Sequence, residues 1–433
     1  MLCIFLILST AWAISTFCFA DSLASYDLLK WNPSEPGGGW RRWFPRAEIA
    51  PKLAESSDEG GTFIAAGAGR DWCIGGWERQ VAGLKTGDAF EVHAEVECES
   101  LVNPPRALWI RVYWQGKMPA DTPPEIVPIA ATDESHYVFH DRIVVPRGAT
   151  SATVRIIYRW EPHGRAVWRS VRMTPAGPEP AHRFVRIATV YWRPKARTTV
   201  EKNITSWLAM IDKAAREKPD FILLSEGVTA IGIGFGDLNA ISEKVPGGPH
   251  FKRITAKARE HGCHIAYGTY EREGRYIFNT AVLIGPDGKL IGKYRKSHLP
   301  LEEDTAGFAP GDTVGVFDTD ICKVGFVICF ETDFPEVMRA ARLKGAELIL
   351  VPIWGGDEAT LKVRARENGV TVVTASYDMK SMIVDKRGTV LAETWKGIGN
   401  GIAAATVDLD DRTKLPWTGC FPAYMTRIRM PQK

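Results

Sequence analysis

The stretch Val324-Gly325-Phe326-Val327-Ile328-Cys329-Phe330-Glu331-Thr332-Asp333-Phe334-Pro335-Glu336 decides how this chain is read. An apolar, strand-like run delivers one cysteine to a turn, and a helical segment follows from Pro335. Two other residues stand at comparable places. Glu226 closes the apolar strand Phe221-Ile222-Leu223-Leu224, and Lys296 lies in Gly292-Lys293-Tyr294-Arg295-Lys296-Ser297-His298-Leu299-Pro300. Lys296 precedes Cys329 by thirty-three positions (329 − 296), and Glu226 precedes Lys296 by seventy (296 − 226). In an α/β fold the ends of strands converge on one crevice, so residues this far apart in sequence can share a site. The trio suits nucleophilic catalysis. A thiol is mostly protonated at neutral pH, a carboxylate can take its proton, and an ammonium can stabilise the oxyanion that follows.

Taken one at a time, these residues have plainer readings. A cysteine in a strand is ordinarily a small buried hydrophobe, and Cys322 is expected to be one. Lys296 sits among Lys293, Arg295 and His298, a run that elsewhere would be a solvated face. His298 is expected to make local hydrogen bonds, since acyl transfer leaves it no role once Glu226 and Lys296 are assigned.

The ordered set resembles the carbon-nitrogen hydrolase (nitrilase) superfamily. The resemblance is carried by the strand-Glu segment at Glu226, Tyr294-Arg295-Lys296-x-His298-Leu299, the turn Pro310-Gly311-Asp312, and Gly325-x-x-Ile328-Cys329-x-x-x-x-Phe334-Pro335-Glu336. It covers roughly residues 184 to 420. It implies that Glu226 is the general base, Cys329 the nucleophile and Lys296 the electrostatic partner of the tetrahedral intermediate, joined by the backbone N–H of Phe330. It also implies a second glutamate after the lysine. Glu303 fits best, because Glu303-x-x-x-Gly307-x-x-Pro310 matches the pattern, with Glu302 as the competing assignment. The helix beginning near Phe334 is expected to aim its N-terminus at the cysteine turn and favour a thiolate.

The implied chemistry is ping-pong acyl transfer on a small-molecule amide or carbamoyl substrate through a cysteine thioester, with no metal or organic cofactor. Phe330, Glu331, Asp333 and Trp354 are expected to line the substrate pocket. No arginine pair follows Cys329, and Glu331 and Asp333 are acidic, which favours a neutral or amine-bearing amide over an anionic one. A nitrile substrate stays open, although Cys329-Phe330-Glu331 replaces the Cys-Trp-Glu common in nitrilases. A lipoprotein N-acyltransferase would need several membrane spans, and beyond residue 20 no stretch of ~18 apolar residues exists. A glycan-binding protein with an inert second domain is the remaining alternative.

Composition frames these readings. The chain has 433 residues, 45% hydrophobic and 24% charged, with 54 basic and 51 acidic residues, so it is long enough for two domains and its charge is near balance. No basic stripe points to nucleic acid, and the nine histidines show no metal-ligand spacing. Leu2 to Ala20 is almost wholly apolar and ends in Cys18-Phe19-Ala20 before Asp21, as at a signal-peptidase site. The expectation is export with residues 1–20 as signal peptide, an anchor formed by residues 2–20 being the alternative. Of the six cysteines beyond residue 20, Cys73 and Cys98 could pair in an exported protein.

Between Asp21 and Pro175 the pattern alternates as in strands. Phe90–Val96, Leu108–Trp114, Ala152–Trp160 and Ala166–Met173 are separated by Gly and Pro clusters, the pattern of an antiparallel β-sandwich. It is similar in architecture to jelly-roll, galactose-binding-like modules, which implies glycan contact through this domain. Trp40, Trp43, Trp72, Trp77, Trp109, Trp114, Trp160 and Trp168 lie here, and the simpler expectation for each is a place in the core. Residues 176–183 read as a stiff linker.

From Phe184 the pattern becomes α/β. Helices are expected over Val200–Lys218, with a stripe of Ile204, Leu208, Ile211 and Ala215, and over Phe251–His261, Pro335–Gly345 and Ala359–Asn368. Strands are expected at 221–224, 264–269, 279–284, 348–352, 370–377 and 381–384. The whole fits an α/β, four-layer αββα sandwich over residues 184–420 and a tail over 421–433, preceded by the β-sandwich. The resemblance further implies a homo-oligomer.

Overall fold

A computed structural model describes residues 39–56, 62–194, 197–394 and 399–412, together with the short strands Tyr26–Asp27, Lys414–Leu415 and Gly419–Cys420. The apolar segment 2–20 and the tail 421–433 lie outside the described residues. Among the described residues no helix is long and apolar enough to cross a membrane. The chain divides into two units, Met1–Glu179 and Pro180–Lys433.

The first unit is an antiparallel β-sandwich. One sheet runs Lys52–Ser56, Thr62–Ala66, Arg165–Pro175, Ala89–Glu99, His136–Val144, Ile129–Ala131, and the other Arg41–Trp43, Ile74–Ala82, Ala149–Arg159, Leu108–Gly116, Glu125–Val127. Alternate residues point inward, as the period of a strand requires: Phe90, Val92, Ala94 and Val96 from one sheet meet Ile110, Val112, Val154 and Ile156 from the other. Of the eight tryptophans, Trp40, Trp77, Trp109, Trp114 and Trp168 are buried, and Trp72 is 68% exposed. Cys73 and Cys98 do not form the disulfide that sequence allowed. Both are free thiols in the sandwich core, and burial pushes the Cys98 thiol up to about 12.

The second unit stacks two sheets between two pairs of helices. The first sheet runs Leu290–Arg295, Tyr276–Ile284, His264–Glu273, Phe221–Leu223, Phe184–Arg193, Gly399–Asp408. The second runs Val316–Asp318, Lys323–Phe326, Leu348–Pro352, Thr371–Ala375, Met382–Val384, Val390–Glu393. The inner strands Phe221–Leu223, Leu348–Pro352, Thr371–Ala375 and Met382–Val384 are buried on both faces because both faces are covered. Ile187, Phe221, Leu223 and Leu283 pack on Val324, Phe326, Leu348 and Val373 between the sheets. Ala188, Ile222 and Ile265 turn outward to Trp207, Ile211 and Ile254 of the helices Val200–Ala215 and Pro249–His261. Val327, Ile349 and Val351 turn the other way, to Met338 and Leu361 of the helices Pro335–Leu343 and Glu358–Asn368. This is the four-layer αββα sandwich.

Two details differ from the sequence reading. The helix at 200 ends at Ala215, and its fully buried stripe is Asn203, Ile204, Trp207, Met210, Ile211 and Ala214, with Leu208 and Ala215 of the expected stripe packed half-buried at its margin. Cys329 is not followed at once by the helix at Pro335. It opens a 3-10 turn, Cys329–Asp333, so the N–H groups near the thiol belong to that turn, whereas the helix dipole starts six residues on (335 − 329).

Candidate active site

Three strand ends deliver the site. Phe221–Leu223 ends just before Glu226, and the carbonyl of Ser225 and the N–H of Val228 are both bonded to Gly268 on the neighbouring strand. A side chain at Gly268 would stand 2.6 Å from the Glu226 Cα, so only glycine lets the two chains approach this closely. Lys296 follows the strand Leu290–Arg295, and its backbone is held on both sides: its N–H donates to Asn279 and its carbonyl accepts from Gly311, each at 2.8 Å. That second bond explains the Pro310-Gly311-Asp312 turn, since a Cβ on Gly311 would meet the Arg295 carbonyl at 2.2 Å. Cys329 follows Lys323–Phe326 and has a left-handed backbone, φ +47°, which a non-glycine residue keeps only where its surroundings enforce it.

The enforcing group is Glu331. Its Oε2 accepts from the Ile328 N–H at 2.8 Å, and its Oε1 accepts from the Tyr294 hydroxyl at 2.6 Å and from the Ser297 N–H and hydroxyl, both at 2.7 Å. The side chain is fully buried and does not face the cavity. The expectation that Glu331 contacts substrate is therefore corrected. A residue two positions past the nucleophile points back into its own 3-10 turn, and the carboxylate is occupied by protein donors.

A cavity of about 510 Å³ brings the remaining residues together. Glu226, Tyr270, Lys296, Glu302, Glu303, Cys329, Phe330, Asp333 and Trp354 all line it. Lys296 is buried, and its Nζ donates to Glu226 Oε1 at 3.1 Å and Glu303 Oε1 at 2.9 Å. Glu302 is exposed and Glu303 buried, so of the two candidate glutamates it is Glu303 that meets the lysine. Asn279 donates from Nδ2 to the same two oxygens, 2.7 Å from each, and the Tyr377 hydroxyl donates to the Glu226 carbonyl at 2.7 Å. Sequence reading missed both residues. Asn279 had a visible signal, a lone amide inside the apolar strand Tyr276–Ile284. Tyr377, stacked edge-on between Trp207 and Trp354, had none.

The electrostatics follow from burial and shared charge. Burial alone would lower the Lys296 ammonium, but Glu226, Cys329 and Glu303 outweigh it and hold the group above its ordinary value. Burial, then the charge of Glu226, raises Glu303, opposed by Lys296 and Asn279. Burial, again followed by Glu226, pushes the Cys329 thiol well up, against the pull of Lys296. The resting site therefore holds a protonated thiol beside an ammonium shared by two carboxyl groups. His298 makes the local bond expected of it, Nδ1 to Ser297 Oγ at 2.9 Å, and packs on Phe334. Against the expectation of no metal-ligand cluster, Asp212, Glu260 and His261 lie within ligand range of one another among the described residues, but the Lys257 ammonium is 2.6 Å from Asp212.

One four-layer α/β sandwich thus brings a thiol, an ammonium and two carboxyl groups to a single cavity. The family model described as Carbon-nitrogen hydrolase matches residues 186–416, and the chain belongs to that family. It is an enzyme that hydrolyses carbon-nitrogen bonds. It is 33% identical over 245 residues to a nitrilase of Pyrococcus abyssi, a match spanning 52% of this chain and 90% of that one. It is 30% identical over 234 residues to the omega-amidase NIT2 of Homo sapiens, spanning 48% and 83%. Among solved structures, the amidase from Nesterenkonia sp. AN1 aligns at 25% identity over 53% of this chain and 96% of that one, with a TM-score of 0.45.

Proposed function

We propose that the protein is an amidase that works through a thioester on Cys329. The observation that carries this reading is the buried Lys296 ammonium, bonded to Glu226 and Glu303 in the cavity that Cys329 lines. The Cys329 thiol passes its proton to Glu226 as sulfur attacks the amide carbon. Lys296 and the Phe330 N–H stabilise the oxyanion, in surroundings dry enough to make that charge contact strong. Glu226 then gives the proton to the amide nitrogen, the C–N bond breaks and ammonia or an amine leaves. Water attacks the thioester, Glu226 takes its proton, the C–S bond breaks, and the proton returns to sulfur as the acid departs. Glu303 and Asn279 hold Lys296 and Glu226 in register and touch no substrate bond.

A panel of primary amides and nitriles scored for ammonia tests the reading. Release from amides, abolished in Cys329→Ala, is expected; release from nitriles alone would replace the amidase reading with a nitrilase one.

A further inference from the structure

The cavity has a charge pattern that the hydrolytic chemistry does not use. Among its lining residues, four carboxylates, Glu226, Glu302, Glu303 and Asp333, stand against one ammonium, Lys296, a formal balance of −3 (1 − 4). Lys296 is committed to Glu226 and Glu303. Glu302 and Asp333 are exposed, and neither has an ion-pair or hydrogen-bond partner for its carboxylate among the described residues. Arg364, which reaches the same turn, spends its guanidinium on the backbone carbonyls of Thr332 and Asp333 and on Glu367. Aromatic rings of Phe235, Phe330 and Trp354 line the same space. Rings and carboxylates together are the surroundings in which an organic cation is held.

Two buried polar atoms of residues that line the cavity have no protein partner. Tyr270 is fully buried, yet its hydroxyl has no protein partner, and neither does Glu303 Oε2. Both residues line the cavity. Buried polar atoms are nearly always bonded, so each of these atoms calls for a ligand group or an ordered water close by. At about 510 Å³ there is room for more than a two-carbon amide.

We propose that this enzyme prefers amides whose far end carries a cation, an alkylammonium group, received by Glu302 and Asp333. The claim rests on the amidase reading of the same cavity and names its substrate class. An uncharged tail gains the aromatic contact alone, and a carboxylate tail meets carboxylates.

Three isosteres test it on the full chain: 5-aminopentanamide, hexanamide and adipic acid monoamide, compared by kcat/KM for ammonia release. The expected order is cationic above neutral by about tenfold, with the anionic amide slowest. The cation-to-neutral ratio is expected to fall to about twofold in Glu302→Gln/Asp333→Asn, and in wild type to shrink as salt rises. Equal kcat/KM for the cationic and neutral amides, or a preference that survives both the double variant and high salt, overturns the inference. If none of the amides releases ammonia, the amidase reading fails by itself. The cation claim is then decided by protection of Cys329 from iodoacetamide: stronger protection by pentylammonium than by pentanol supports it, and equal protection overturns it.

Discussion

Glu331 Oε1 lies 2.7 Å from both the backbone nitrogen and the hydroxyl of Ser297, so the residue two past Cys329 holds the residue one past Lys296. One buried carboxylate therefore fixes the distance between the candidate nucleophile and its ammonium. It also makes Glu331 a positioning residue with a distinct signature. Glu331→Gln puts an amide N–H₂ where protein donors now converge, at a cost of about 2–4 kcal/mol. Thermal unfolding should show that loss, and kcat should fall for every amide alike, whatever its tail charge. A change confined to KM for charged amides would return Glu331 to the substrate pocket.

Glu271 supports the same strand from behind. It is buried and accepts from Lys293, from Arg295 Nε at 3.0 Å and Nη2 at 2.8 Å, and from Thr280 at 3.1 Å. Burial pushes its carboxyl up, but Arg295 and Lys293 outweigh burial and hold it below the usual 4.5. A depressed carboxyl contributes stability that is present above its unfolded value and lost as pH falls through the folded one. Glu271→Gln should thus destabilise the protein at pH 7, and the gap to wild type should narrow as pH falls below 4.5 through the folded value. Denaturant titrations at pH 7 and in acid check this; a gap that persists in acid would mean that charge is not its source.

The elevated Cys329 thiol predicts an alkylation profile. Burial and the Glu226 charge keep the thiol protonated, so the iodoacetamide rate should still be rising beyond the ordinary thiol value of 9.0. Glu226→Gln removes the opposing negative charge while Lys296 stays, so the profile should move to lower pH even as turnover falls. A wild-type plateau near neutral pH would contradict the resting thiol.

Asn279 serves both carboxyl groups, with Nδ2 at 2.7 Å from Glu226 Oε1 and Glu303 Oε1. Replacing it with Ala leaves two buried acceptors relying on Lys296 alone. The expected result is a fall of roughly 10²-fold in kcat with KM little changed; an unaltered kcat would show that the lysine orders the carboxyl groups unaided.

The parts of this site that were legible in the sequence are those set by strand ends. Glu226 and Cys329 each follow an apolar run, and such runs converge in an α/β fold, whereas Lys296 follows the mixed strand Leu290–Arg295 and was legible only from its place in the family motif. The layer order was legible for the same reason, as strands apolar on both faces need cover on both. Side-chain direction within a tight turn was not. Phe330 and Asp333 reach the cavity while Glu331, between them, points inward, because a 3-10 turn sends its residues to three sides. Phe235 and Tyr270 come from a glycine-rich loop and from the far end of a strand, whose meeting depends on tertiary packing that spacing does not encode.

The central claim is a covalent bond between Cys329 and the acyl group of an amide. The most direct measurement is the intact mass of the Glu226→Gln protein after exposure to a turned-over amide: losing the base slows both attacks, but the thiol, freed of the Glu226 charge, ionises more readily while water gains no such help, so the thioester accumulates. The account predicts a mass gain equal to the amide minus ammonia, carried by Cys329 and absent when Cys329→Ala is added. Turnover that survives Cys329→Ala, or an acyl group found on any other residue, would contradict it.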